Sequence, residues 1–198
     1  MKQEEKSRRS REHILESAFA EFAGQGYAGG SINAICARGG ISKGLLYHYY
    51  GDKDQLYLAC VERCFQELTQ YLAQELDPAA VTPEQYFDRR MDFFRANPHH
   101  QSLFRDTLIS PPPQLVQAIR RCRAGFDRLN DALLRAILAH ERLADGLTVE
   151  DAVVQLRLFE DLLSAYLRAA AGQEPAVEQY DQLCRRTLRT MLYGLLAR

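Results

Sequence analysis

Nothing in this 198-residue chain is long and apolar enough to cross a bilayer. No hydrophobic run approaches the roughly 18–20 residues a spanning helix needs. The first residues, MKQEEKSRRSREH, carry charge but no apolar segment, unlike a secretory signal. The expectation is a cytoplasmic protein that does not engage membranes. A strong charge of either sign is also missing. The net charge is −1, and residues 1–54 hold eight Lys or Arg against seven Asp or Glu. No global basic field announces nucleic acid, so any such affinity must come from local placement of charge.

Paired cysteines are absent too. The five, Cys36, Cys60, Cys64, Cys122 and Cys184, are an odd set without a C-x-x-C pair. That pattern disfavours a disulfide framework or a zinc site. The five histidines are scattered except for His99-His100, and neighbours on a helix point about 100° apart. The sequence offers no nucleophile–base pair and no metal cluster, so no catalytic residue, metal or cofactor is expected. Strand-like alternation, internal repeats and low-complexity tracts are lacking as well.

What remains reads as helix almost throughout. Ile14, Leu15, Ala18, Phe19, Phe22 and Ala23 recur with a period near 3.6, giving a first helix over 10–24. Ser31 caps INAICAR, Gly39-Gly40 end it, and Ser42 caps KGLLYHYY. Asp52 caps a long helix over 53–75. Thr82-Pro83-Glu84-Gln85 forms a capping box before a helix over 83–96. Further helices are expected over 98–109, 113–141, 149–171 (capped by Thr148 with Asp151) and 176–196. The fold class is all-α, with about nine helices.

Two short helices joined by a glycine turn make a helix-turn-helix. Ile32, Ile35, Ile41 and Leu46 can bury one side of the pair. Lys43 and Tyr47 then share one stripe of the second helix, and Gly44 and His48 the next. Lysine and tyrosine suit phosphates, histidine reaches base edges or phosphate, and glycine permits close approach. The helix starts at Ser31, Ser42 and Asp52 can present free N–H groups to phosphates.

The stretch ILESAFAEFAGQGYAGGSINAICARGGISKGLLYHYYGDKDQLY resembles the N-terminal domain of the TetR family, over about residues 10–57. The resemblance implies a homodimeric DNA-binding transcriptional regulator, usually a repressor released by a small ligand. It implies a DNA-binding domain over 1–52 and an effector-binding and dimerisation domain over 53–198. By position, it gives Ser31 and Lys53 to phosphate, and Lys43, Tyr47 and Tyr49 to the DNA backbone. Gly44, Leu45 and His48 fall at positions that face bases. Gly30, Cys36, Gly39 and Tyr50 depart from the family's usual residues, Gly30 in a way expected to loosen the start of the second short helix.

Beyond residue 57 the residues must speak for themselves. Tyr86, Phe87, Met91, Phe93 and Phe94 form one apolar arc, and Arg90 falls near its middle. Cys60, Cys64, Glu67 and Tyr71 share an arc of the helix over 53–75, and His100 lies between apolar positions before Phe104. Glu160 lies inside the arc of the helix over 149–171, near Phe159 and Leu163. A buried charge needs a partner. For Arg90 these are Glu160, Glu67 or an anionic ligand, so a structural ion pair and an effector pocket both stand open. All these residues are effector-site candidates.

The last helix carries Tyr180, Cys184, Leu188, Met191 and Leu195 on one stripe. The helix before it is apolar around most of its circumference, including Leu158, Leu162 and Tyr166. So much apolar surface calls for a two-fold seam between subunits. The competing readings are a helical enzyme, or a helical adaptor that does not bind DNA. The retained Lys43, Tyr47, His48 and Lys53 disfavour the adaptor.

Overall fold

A computed structural model describes residues 2–139, 142–158, 186, 187 and 190. Its helices are α1 (Lys2–Gly29), α2 (Ile32–Gly39), α3 (Lys43–Tyr50), α4 (Lys53–Glu75), α5 (Pro83–Ala96), α6 (Pro98–Ile109) and α7 (Val116–Ala139). A 3-10 turn, Pro113–Leu115, leads into α7, and a further helical stretch, α8, covers 149–158. Among the described residues there is no strand. No helix among them is long and apolar enough to cross a membrane.

The helix starts follow their caps. Asp52 Oδ1 accepts from Gln55 N–H at 2.8 Å before α4. The Thr82–Gln85 box closes in both directions, at 3.0 and 3.2 Å. Thr148 and Asp151 do the same ahead of α8. α1 differs from the expected 10–24. It begins at Lys2 because Glu5 pairs with Arg8 and Arg9, three and four residues on. It also continues past Gly24. Gly26 turns to φ 64°, but Gly30 N–H still reaches its carbonyl at 3.0 Å.

The chain forms two compact units. The first comprises residues 1–67 and 94–124, the second 68–93 and 125–198. In the first, α1 buries Ile14, Ala18, Phe19, Phe22 and Ala23 against α2 and α6. Ile35, Ile41 and Leu46 seal α2 to α3, while Ile32 stays partly exposed. In the second, Tyr86, Phe126, Leu133, Ile137, Ala152, Val153 and Leu156 are buried. Arg135 binds Asp131 and Glu150, and Arg157 binds Asp131 as well, on the outside of that unit.

Two glycines of the helix-turn-helix differ in what they require. Gly40 ends α2 at φ 59°, where a side chain is strained, whereas a Cβ on Gly44 would meet nothing within 4 Å. Gly40→Ala should therefore destabilise the fold by about 1–2 kcal/mol. Gly44→Ala should stabilise it by about 0.5–1 kcal/mol, through helix propensity. Urea unfolding midpoints of the two variants should move in opposite directions; movement in the same direction contradicts this.

Candidate nucleic-acid interface and flanking polar network

α3 divides cleanly into two sides. Leu46 and Tyr50 are buried, while Ser42, Lys43, Gly44, Leu45, Tyr47 and His48 are exposed. Leu45 is 39% and Tyr47 45% exposed, so both stand open to a partner on that side. Lys43 and Tyr47 stand one turn apart, as do Gly44 and His48, so both expected stripes lie on the uncovered side. The Ser42 hydroxyl accepts from Leu45 N–H at 3.2 Å, fixing the start of the helix.

The covered side is anchored to α1. The Tyr50 hydroxyl donates to the Arg11 carbonyl at 3.2 Å, and burial pushes its pKa up to about 12. Tyr49 turns the same way. Its hydroxyl bonds Ser7 Oγ at 3.1 Å, and the Arg11 guanidinium lies 5.7 Å from its ring centre. Lys53 sits at the foot of α4 with its ammonium 4.6 Å from the Tyr27 ring centre. Ser31 Oγ accepts from Ala34 N–H at 3.5 Å.

Two positioning groups were not singled out from sequence. Glu21 on α1, 5% exposed, accepts from Ser31 N–H at 3.2 Å and from Arg38 at 3.3 Å. His13 donates from Nε2 to the Gly39 carbonyl at 2.7 Å. α1 therefore holds α2 at both ends. The one signal for Glu21 was its place at the edge of α1's apolar arc. Gly30 is tight rather than loosening: a Cβ there would come within 2.6 Å of the Phe22 ring.

The effector candidates divide between the units. In the first, Cys60 and Cys64 are fully buried, and burial raises both thiols well above their ordinary range. Phe104 packs between Phe65 and Phe94, with ring centres 5.3 and 5.2 Å away. His100 stacks on Phe19 at 4.6 Å and donates from Nε2 to Glu67 Oε2 at 2.6 Å. Arg63 bonds Glu67 at 2.7 Å and Glu12 at 2.5 Å, tying α1, α4 and α6 together.

In the second unit, Tyr71 packs on Phe93 at 5.3 Å. Arg90 donates to the Tyr86 hydroxyl at 3.2 Å and lies 5.7 Å from the Phe126 ring centre. Tyr86 in turn bonds Asn130. Leu158 is 58% exposed beside the 55%-exposed Val154. Phe159, Glu160, Leu162, Leu163, Tyr166, Tyr180, Cys184, Leu188, Met191 and Leu195 lie outside the described residues. No metal-holding group of His, Cys, Asp or Glu occurs among the described residues.

A short helix seated on a buried floor, with a bare polar and aromatic outer face, defines a helix-turn-helix module. Residues 14–60 match the model for bacterial regulatory proteins of the tetR family. Over this N-terminal segment the chain resembles the TetR family. It is 36% identical over 85 residues to an HTH-type transcriptional repressor of Streptomyces coelicolor, covering 43% of this chain and 42% of that one. It is 42% identical over 50 residues to the HTH-type transcriptional repressor AcnR of Corynebacterium efficiens, covering 25% and 27%. The matches thus span under half the length of these curated relatives. SmeT, the repressor of the Stenotrophomonas maltophilia multidrug efflux pump SmeDEF, superposes with a TM-score of 0.65 at 21% identity, covering 94% of this chain and 90% of SmeT. FadR of Bacillus subtilis, solved with stearoyl-CoA, gives 0.65 at 15%, covering 92% and 98%. At these identities the likeness concerns the fold.

The Glu67–His100 pair generates a pH prediction. Burial lowers the His100 pKa below 6.5, and the bond to Glu67 offsets only part of that. Burial works to raise Glu67, but the bonds from Arg63 and His100 outweigh it and hold the carboxyl below its usual value. Folding thus favours neutral His100. Its contribution is present above 6.5 and drains as pH falls through the lowered value. Wild type should lose more stability than His100→Gln on going from pH 7 to pH 5. The difference should be no steeper than about 1.4 kcal/mol per pH unit. Parallel stability–pH curves contradict it.

Proposed function

We propose that the chain is a transcriptional regulator, acting as a repressor, that binds a pseudo-palindromic DNA operator as a homodimer. A small hydrophobic effector releases it. The observation that carries this reading is the exposed face of α3, with Lys43, Gly44, Leu45, Tyr47 and His48 uncovered above buried Leu46 and Tyr50. An eight-residue helix on such a floor fits the major groove. Ser31, Ser42 and Lys53 flank that face as phosphate or backbone contacts, whereas Tyr49 is turned to Ser7 and Arg11 of α1. Residues 1–52 serve as the DNA-binding domain and 53–198 as the effector and dimer domain. The exposed Val154 and Leu158 begin the seam between subunits. The repressor names of the curated relatives support the same assignment. No enzymatic step and no cofactor enter this mechanism, and it places the protein in the cytoplasm.

The effector site centres on Arg90, set against Tyr86 and Phe126 in a largely apolar part of the second unit. A hydrophobic ligand bearing a carboxylate or similar acceptor would take Arg90 as a charge-assisted partner. The fold relative solved with stearoyl-CoA, a long acyl chain on an anionic carrier, is in keeping with that chemistry. Its binding would shift α4 and the spacing of the two recognition helices.

The test uses a duplex selected from a random pool by the wild-type protein. Lys53→Ala should weaken all duplexes alike and lower the salt slope by about one unit. His48→Ala should instead change the ranking among operator variants. An unchanged salt slope in Lys53→Ala removes Lys53 from the phosphate contacts. A fatty carboxylate should release wild type from the duplex at concentrations at least about tenfold below those for Arg90→Met, a loss of about 1.4 kcal/mol. Equal release of both makes Arg90 structural.

A further inference from the structure

A cavity of about 600 Å³ opens in the first unit, where the end of α1, the first turns of α4 and the end of α6 line one space. It is separate from the outer face of α3, and none of the effector candidates among the described residues lines it. Tyr57 forms part of its wall and is only 1% exposed. Among the described residues nothing hydrogen-bonds the Tyr57 hydroxyl. Its contacts are ring contacts, edge-on to Phe22 at 5.2 Å and to Tyr27 at 5.0 Å. No side-chain oxygen sealed from solvent lacks a partner among the described residues, so the hydroxyl reaches the open cavity.

The group that faces the same space is Asp106. Burial raises its carboxyl above the ordinary value, and Tyr57 is raised chiefly by its own burial and then by the Asp106 charge. Its ion contact among the described residues is loose, Arg105 Nε to Oδ1 at 3.6 Å. The other oxygen looks across to Gly26, where a Cβ would stand 3.5 Å from Oδ2. The positive φ of Gly26 swings the end of α1 away at this point. Tyr27 is also on the wall, with Lys53 already over its ring.

We propose that this cavity is a binding site for a small organic cation, a primary ammonium carried on a compact apolar body. The ammonium N–H groups donate to the free oxygen of Asp106 and to the Tyr57 hydroxyl oxygen. The Tyr27 and Tyr57 rings supply cation–π surface. The apolar body rests on the Pro111–Pro113 turn and the Tyr57 ring. This site is independent of the reading of α3 as a DNA reader, and it differs from the Arg90 site in position and in ligand charge.

Titration of ¹⁵N-labelled full-length protein with 2-phenylethylamine, followed by amide chemical shifts, tests the assignment. The neutral control is 2-phenylethanol and the anionic control is 3-phenylpropionate. The expected result is saturable shifts confined to residues 24–28 and 105–114, with little response to either control. Asp106→Asn should weaken the amine at least about tenfold and Tyr57→Phe about threefold, while Arg90→Met leaves it unchanged. Four results overturn the proposal. One is an absence of saturation into the range of about 10 mM, which leaves the cavity to water alone. The second is equal binding of the neutral or anionic control. The third is undiminished binding by Asp106→Asn. The fourth is shifts centred on Tyr86 and Arg90. If Asp106→Asn does not fold, Tyr57→Phe and the two control ligands decide the matter.

Discussion

The helix that meets the outside world is only eight residues long, and such a helix does not hold its shape alone in water. Everything else in the first unit serves to hold it. Leu46 is fully buried, Tyr50 is nearly so, and the Tyr50 hydroxyl is pinned to the backbone of α1. Truncating a side chain like Leu46 costs about 2–5 kcal/mol, a large share of a domain's stability. With the inner side fixed that firmly, the outer side of α3 is free to carry residues chosen for a partner. Leu45, Tyr47 and His48 are affordable there only because Ile35, Ile41, Leu46 and Tyr50 do the packing.

The same economy governs the polar groups. α1 touches both ends of α2, through Glu21 at the start and His13 at the finish. It touches α4 and α6 through Glu12, Arg63, Glu67 and His100. The first helix is therefore the common frame for α2, α4 and α6. Under the proposed function, a displacement of α6 would reach α1 through His100 and Phe19 as well as through α4. That route consists of specific bonds, so it can be broken one residue at a time.

Much of this was legible in the sequence, for reasons that can be stated. The caps at Ser42, Asp52, Thr82 and Thr148 act within three residues, so their partners could be read directly. The face of α3 was legible because a helix of fixed period must separate Leu46 and Tyr50 from Lys43, Tyr47 and His48. The start of α1 was misjudged because residues 2–9 are polar, and their helix rests on Glu5–Arg pairs rather than on an apolar stripe. Glu21 was missed because its partners lie 10 and 17 residues away, a separation periodicity does not report. Tyr57 looked like ordinary core. Only its three-dimensional setting shows that it lines an open space together with Asp106.

Under the proposed function, two copies of α3, held this way, read one face of a duplex. Hydroxyl-radical footprinting of the full-length protein on a duplex selected from a random pool tests it most directly. Two protected patches are expected on the same face of the DNA, with centres one helical turn apart, about 34–36 Å. A single protected patch, or uniform weak protection along the duplex, would contradict it.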